Sequence, residues 1–383
     1  MLSVPIGQLK KGITVAKPRR DSLDFIRVLA ITLVLIVHTR GYFFSPSNFP
    51  LTFAILRVLG TTGVPLFVML TGYLMVDRPY DDPTYLHRFA QRNLLTLVVA
   101  FECWNLVWFV LGNIPNVSYP GGGFPVSLGR TIKTALFVGD TGTALWYLPM
   151  TIALYLGLPI VSIAGKRLAK NSPDYAKTLF LLLVIFGTVV PSAKTALGYF
   201  GHGDAIHSVL IMNIFGASVW GDSVWLLYLI IGALIAKERL RLVTTKNLLL
   251  FGIVIPIVTS IAIQYLFPDV TLTSYSFIGT VVPSAALFEF LDRHNADVCK
   301  LGQLFPACIR FLSKLSFSVY MLHLFVFGWL YHAGLVVSIL AFPMATVVPA
   351  YLLFTLALMF LSAGLGRLLG TLQPVAKWML LLK

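Results

Sequence analysis

The fold class predicted by this sequence is all-α: a polytopic bundle of about ten transmembrane helices with both termini cytoplasmic. Three observations predict it. Of the 383 residues, 57% are hydrophobic and only 11% charged, where soluble globular domains have roughly a quarter charged. Apolar stretches of membrane-spanning length recur from residue 25 almost to the end, with no polar block that could form an aqueous domain. The basic residues fall between those stretches, mostly on one side.

Reading apolar runs of roughly 17 to 25 residues as spans places helices near 24–44, 53–76, 93–112, 144–165, 178–198, 219–236, 248–267, 277–291, 313–335 and 344–366. The seventh and eighth are separated only by PDVTLTSYS, and the eighth is short. The organisation is then a cytosolic segment 1–23, a transmembrane domain 24–370 and a cytosolic tail 371–383. The leading MLSVPIGQLKKGITVAKPRR has positive charge but no short apolar core with a cleavage site, so it reads as the lead-in to an uncleaved first span.

An even number of spans puts both ends on one side, and charge identifies that side. With the N-terminus inside, all but Arg40, Arg57, Arg130, Lys133 and Lys194 of the 29 Lys and Arg residues lie on the inner half. This positive-inside bias accounts for the net charge of +14. Basic runs interleaved with aromatics, as nucleic-acid binding requires, do not occur, so no nucleic acid is expected. Cys103, Cys299 and Cys308 have neither metal-ligand spacing nor a disulfide pattern; reduced thiols and no metal are expected. Two outer connections are long, 113–143 with its GGG, and 199–218 with His202, Asp204 and His207. Such loops carry function or merely connect. The two histidines, at i and i+5, do not form a helical metal pair.

Ionisable side chains within a span are costly and mark functional sites. The first helix, DSLDFIRVLAITLVLIVHTRG, holds Arg27 and His38 eleven positions apart. That offset is about three turns, or about 16 Å, and leaves both on one face. Arg27, near the cytosolic mouth, suits bidentate contact with a phosphate, and His38, deeper, suits proton exchange. Asp24 lies one turn before Arg27 and is placed to orient its guanidinium. The bland alternative is an anchoring arginine and a histidine satisfied between helices. Glu102, near the middle of the third span, is expected to face the interior and pair with His38 or an arginine. Glu289 and Asp292, nearer the inner surface, are expected to be solvated or ion-paired.

The Arg-x10-His helix is followed by GVPLFVMLTGYLM at 63–75, LWYLPMTIALYLGLPIV at 145–161 and LSFSVYMLHLFVF at 315–327. Together, in this order, they resemble the acyltransferase-3 family of integral membrane acyltransferases over nearly the whole chain. The resemblance implies transfer of an acyl group, usually acetyl from cytosolic acetyl-CoA, to a hydroxyl of a surface polysaccharide or lipid-linked glycan such as O-antigen, in the bacterial cytoplasmic membrane. Acetyl-CoA is then a co-substrate, and the partners are the glycan or glycolipid acceptor and membrane lipids. Relatives that append an esterase-like domain leave open an additional transfer partner.

Arg27 and His38 match the family's signature pair, with Glu102 a further catalytic candidate. HRFAQRN matches its basic cluster, and Arg88 and Arg92, at i and i+4, share a helix face. Those arginines either bind nucleotide or diphosphate or are ordinary positive-inside charges. Tyr320 and His323, three residues apart on the ninth helix, either line an acyl passage or form a structural hydrogen bond. Trp146 and Tyr147 either stack on a sugar ring or join an interfacial aromatic belt. The rival class is a transporter or glycolipid flippase relaying protons through His38 and Glu102.

Overall fold

The computed structural model describes residues 20–112, 129, 144–202, 213–214, 217–218, 223–238, 244–268, 274–295 and 304–382. Ten apolar helices organise them: α1 (Asp21–Tyr42), α2 (Pro50–Met75), α3 (Pro83–Val110), α4 (Tyr147–Asn171), α5 (Pro173–Tyr199), α6 (Ser223–Ala236), α7 (Thr245–Leu266), α8 (Ile278–Arg293), α9 (Leu304–His332) and α10 (Met344–Leu369). Eight are long and apolar enough to cross a membrane; α6 and α8, with 14 and 16 residues, are shorter. The only strands among the described residues are the two-residue antiparallel pair Asn213–Ile214 and Ala217–Ser218. The chain is therefore an all-helical integral membrane protein.

The helices begin and break where the local chemistry requires. Asp82 caps α3 by accepting from the Thr84 N–H at 2.9 Å, and Pro83 occupies the first turn, where its missing N–H costs nothing. α3 thus starts ten residues before the run at 93 and takes HRFAQRN into its first turns. Pro191 and Pro256 interrupt α5 and α7, and each follows a π-helical stretch, 185–189 and 248–254. A proline clashes with the carbonyl four residues earlier. Those residues, Gly187 and Gly252, lie within the widened turns, which absorb the mismatch. α9 stops at Gly334, whose φ of +79° suits a residue without Cβ.

The arrangement is a core of three helices inside a lipid-facing ring. The apolar stretches of α9, α2 and α1 are 78%, 72% and 61% buried, against 33% or less for α3, α4, α5 and α7. Outer faces present Ile160, Phe251 and Leu353, the surface expected against hydrocarbon. α1 packs on α2, α8, α9 and α10.

The tightest crossing joins α2 and α6. A Cβ added at Gly72 would lie 1.9 Å from the Leu229 carbonyl oxygen, and one at Gly232 would lie 2.0 Å from that of Met69. Backbone meets backbone here, as small residues permit between membrane helices. Gly63 plays the same part between α2 and α1, its virtual Cβ 2.8 Å from the Ala30 carbonyl oxygen. Gly72→Val and Gly232→Val must push the helices apart, at a cost of at least about 1–3 kcal/mol. Each should lower the melting temperature in detergent and the yield of folded protein, whereas Gly157→Ala, where added Cβ meets open space, should leave both unchanged.

Candidate active site

The site is built on α1 and α9, which run parallel and are in register at three levels. At the first, Arg310 Nη1 lies 3.4 Å from both carboxylate oxygens of Asp21. At the next, Arg27 Nη1 donates to Ser313 Oγ at 3.0 Å, and Ser313 Oγ donates to Asp24 Oδ1 at 2.6 Å. Arg27 Nη1 is 3.6 Å from that same carboxylate oxygen, which closes a triangle. At the third, the rings of His38 and His323 lie with centroids 5.2 Å apart and planes inclined at 48°. Offsets of eleven residues on α1 and ten on α9 carry both chains a similar rise, about 15–16 Å.

The triangle sets the guanidinium. Asp24 and Ser313 are buried, Arg27 half-buried. Hydrogen bonds with one charged partner are about twice as strong as neutral ones, and Ser313 makes two, one as acceptor and one as donor. Arg27 so held lines a cavity of about 250 Å³.

The cavity rises from Arg27 and Met75 past Val34 and Val64 to Tyr147 and Tyr320. Its walls are mainly apolar, with Phe67, Leu70, Leu74, Leu97, Leu148 and Phe317, relieved by Thr71, Thr151, Tyr155 and Ser316. Leu381 also contributes to the lining. Its segment, Gln373–Trp378 and the residues after it, folds back on α3, where Trp104 Nε1 donates to the Met379 carbonyl at 2.8 Å. The MLLL run at 379–382 supplies the apolar side chains of this segment.

His38 lies one turn beyond Val34, outside the cavity lining. Its neighbour His323 is fully buried, and its Nδ1 is 2.7 Å from the Tyr320 carbonyl oxygen and 3.2 Å from that of Val319. Two carbonyls facing Nδ1 place the proton there and leave the lone pair on Nε2. Among the described residues that Nε2 has no hydrogen-bond partner. Tyr320, at ring-centroid distances of 5.5 Å from Tyr147 and 6.1 Å from His323, stands between cavity and histidine pair.

The family model described as an acyltransferase domain matches residues 20–364, which takes in every element of this site except the segment that carries Leu381. The chain belongs to the acyltransferase-3 family. The match gives the chain an acyltransferase domain, and the comparisons go no further toward a donor or an acceptor. The chain is also similar to an amino-acid racemase of Enterococcus faecalis, 25% identical over 198 residues, 51% of this chain and 24% of that protein. It thus spans about a quarter of the length of that relative. No solved structure matches.

Within this family member the other candidates fall into separate places. Arg88 and Arg92 are exposed on the first turns of α3 and do not line the cavity; Arg88 Nε is 3.4 Å from the Thr84 carbonyl oxygen. Glu102 is half-buried on α3 beside Cys103, outside the cavity lining, to which α3 supplies Leu97. Trp146 belongs to an aromatic cluster with Trp225 and Tyr275, at 5.8 and 5.6 Å, and Trp225 and Tyr275 are 5.0 Å apart. Glu289 and Asp292 are buried and ion-paired, with Arg293 and Arg20. His202 is exposed, and His207 and Cys299 lie outside the described residues, as does most of 113–143 and 199–218.

Ser313 and Leu381 are the residues that the sequence reading misses. Ser313→Ala removes the hydroxyl shared by Asp24 and Arg27 and should cost about 1–3 kcal/mol, read as a lower melting temperature, with Ser313→Thr close to wild type. Leu381→Asp sets a carboxylate into the cavity lining and should abolish acyl transfer in a protein that still inserts; wild-type turnover would show that this segment does not shape the working cavity.

Proposed function

We propose that this acyltransferase moves an acetyl group from cytosolic acetyl-CoA to a hydroxyl of a surface polysaccharide or lipid-linked glycan, O-antigen among the candidates, in the bacterial cytoplasmic membrane. The observation that carries this reading is the fixed guanidinium of Arg27 at one end of an apolar cavity with a histidine pair beyond the other end. A long donor with an anionic end and a thin, weakly polar stem has the complementary chemistry. The positive-inside bias puts the Asp21 end of α1 toward the cytosol, so the donor enters beside Arg27. Arg88 and Arg92, exposed on the same inner side, then serve the nucleotide and diphosphate that stay outside the bilayer core.

In this reading the thioester is held at the Tyr147 and Tyr320 end, and the acceptor hydroxyl approaches from the opposite side of the membrane. Trp146, with Trp225 and Tyr275, offers flat apolar faces against which a pyranose ring stacks. His38 takes the hydroxyl proton as the oxygen attacks the thioester carbonyl; the C–S bond breaks, and the thiolate leaves with a proton. Holding donor and acceptor together replaces a bimolecular encounter, and a placed base contributes typically about 100- to 10,000-fold. The racemase likeness, confined to about a quarter of that protein, does not supply a racemisation chemistry here.

Thiol release from acetyl-CoA in membranes containing the protein, with mass spectrometry of the surface glycan, tests the reading. His38→Ala should lose about 100- to 10,000-fold in turnover while accumulating normally. Arg27→Ala should raise the KM for acetyl-CoA about tenfold or more, the loss expected of a charge-assisted hydrogen bond. Substrate movement across the membrane with neither thiol release nor glycan acetylation would instead identify a carrier. Unchanged acetyl-CoA affinity after replacing Arg88 and Arg92 would confine those two to fixing orientation.

A further inference from the structure

Beyond the site that the motif names, the most unusual polar atom in the core is His323 Nε2. It belongs to a wholly buried side chain, and among the described residues it has no hydrogen-bond partner. Buried polar atoms nearly always find partners, so an orphan in a packed helix calls for a reason. Its tautomer is set by geometry: Nδ1–H donates to the Tyr320 carbonyl at 2.7 Å, which leaves Nε2 with a lone pair and no proton. The ring of His38 packs beside this imidazole, at a centroid separation of 5.2 Å. At that range a proton passes between ring nitrogens directly or through one water.

We infer that His323 is the proton-holding partner of His38 in acyl transfer, an inference that rests on the proposed base role of His38. The acceptor hydroxyl gives its proton to His38 as its oxygen bonds to the acyl carbon. His38 passes a proton to His323 Nε2, whose Nδ1–H stays on the Tyr320 carbonyl, so the second imidazole becomes the cation. When the C–S bond breaks and the electron pair leaves with sulfur, the proton returns through His38 to the thiolate. No proton is gained or lost overall, and neither electrons nor a further reactant are needed. Physically, the pair spreads a transient charge over two rings and a carbonyl dipole where hydrocarbon makes a localised charge costly.

The discriminating variant is His323→Asn. An asparagine amide can occupy the place of Nδ1–H and keep the bond to the Tyr320 carbonyl, yet carries no basic nitrogen. Thiol release from acetyl-CoA would be followed in membranes of cells that make the protein, which contain the native acceptor. The expected result is a fall in kcat of about tenfold or more with an unchanged KM for acetyl-CoA, equal protein levels and an unchanged melting temperature. His323→Gln, which restores a polar group near Nε2 but no base, should not recover the rate. Wild-type kcat in His323→Asn would overturn the inference and leave His323 a structural hydrogen-bonder. A stable His38→Ala protein that is fully active would overturn the base role beneath it, as would a wild-type protein that releases no thiol; loss in His38→Ala with retention in His323→Asn separates the two failures.

Discussion

Placing a guanidinium inside an apolar helix bundle is the constraint from which the rest of this architecture follows. Arg27 is tolerable in a spanning helix because Asp24, one turn earlier, and Ser313, on a helix 286 residues away in sequence, complete its pairing. That requirement ties the first helix to the ninth. Once Asp21–Arg310 and Arg27–Ser313 are level, a parallel course carries His38 to the height of His323. The three contacts are therefore not independent: a slip of one turn in α9 would strand the arginine and separate the histidines together.

The same logic explains why the cavity lies where it does. Glycines draw α2 hard against α6 and close to α1, and the larger residues of α2, Val64, Phe67, Leu70 and Leu74, line the cavity. α4 and α9 contribute bulky side chains such as Tyr147, Phe317 and Tyr320 to its walls, and the gap among α1, α2, α4 and α9 stays open. A bundle packed equally tightly on every side would have no room for a substrate; small residues at the close crossings of α2 and large ones along the cavity walls make the packing uneven.

Much of this was legible before any coordinates, and for identifiable reasons. Ten apolar runs predicted ten apolar helices because hydrocarbon permits little but helix. The eleven-residue offset of Arg27 and His38 settled their common face because helical periodicity is fixed. The proximity of Asp24 to Arg27 followed from one turn of helix. What the sequence could not express is contact between distant helices. Ser313 is one serine among several in LSKLSFS, and only α1 lying parallel to α9 singles it out. Tyr320 and His323 were visible as a pair, but not that His38 would be the ring opposite. For Glu102, depth in a span says that a carboxylate faces protein, not which protein, and α3 turns Leu97 to the cavity.

In the proposed reaction, one geometric feature bears on how acyl transfer would avoid hydrolysis. The cavity ends at Tyr147 and Tyr320, whose rings meet edge to face at 5.5 Å, and the histidine pair lies beyond. A thioester in an open channel from cytosol to outside would meet water at the same base that is meant to activate a hydroxyl. Closing the cavity below the base separates donor from solvent until an acceptor is in place. Tyr320 is suited to that part: it lines the cavity, and its backbone carbonyl holds the His323 Nδ1–H. A shift of this residue that opened the tyrosine pair would also disturb the tautomer that keeps Nε2 basic. In that reaction, opening of the passage and readiness of the proton acceptor would be coupled through one residue, tying the chemistry to the conformation that admits both substrates.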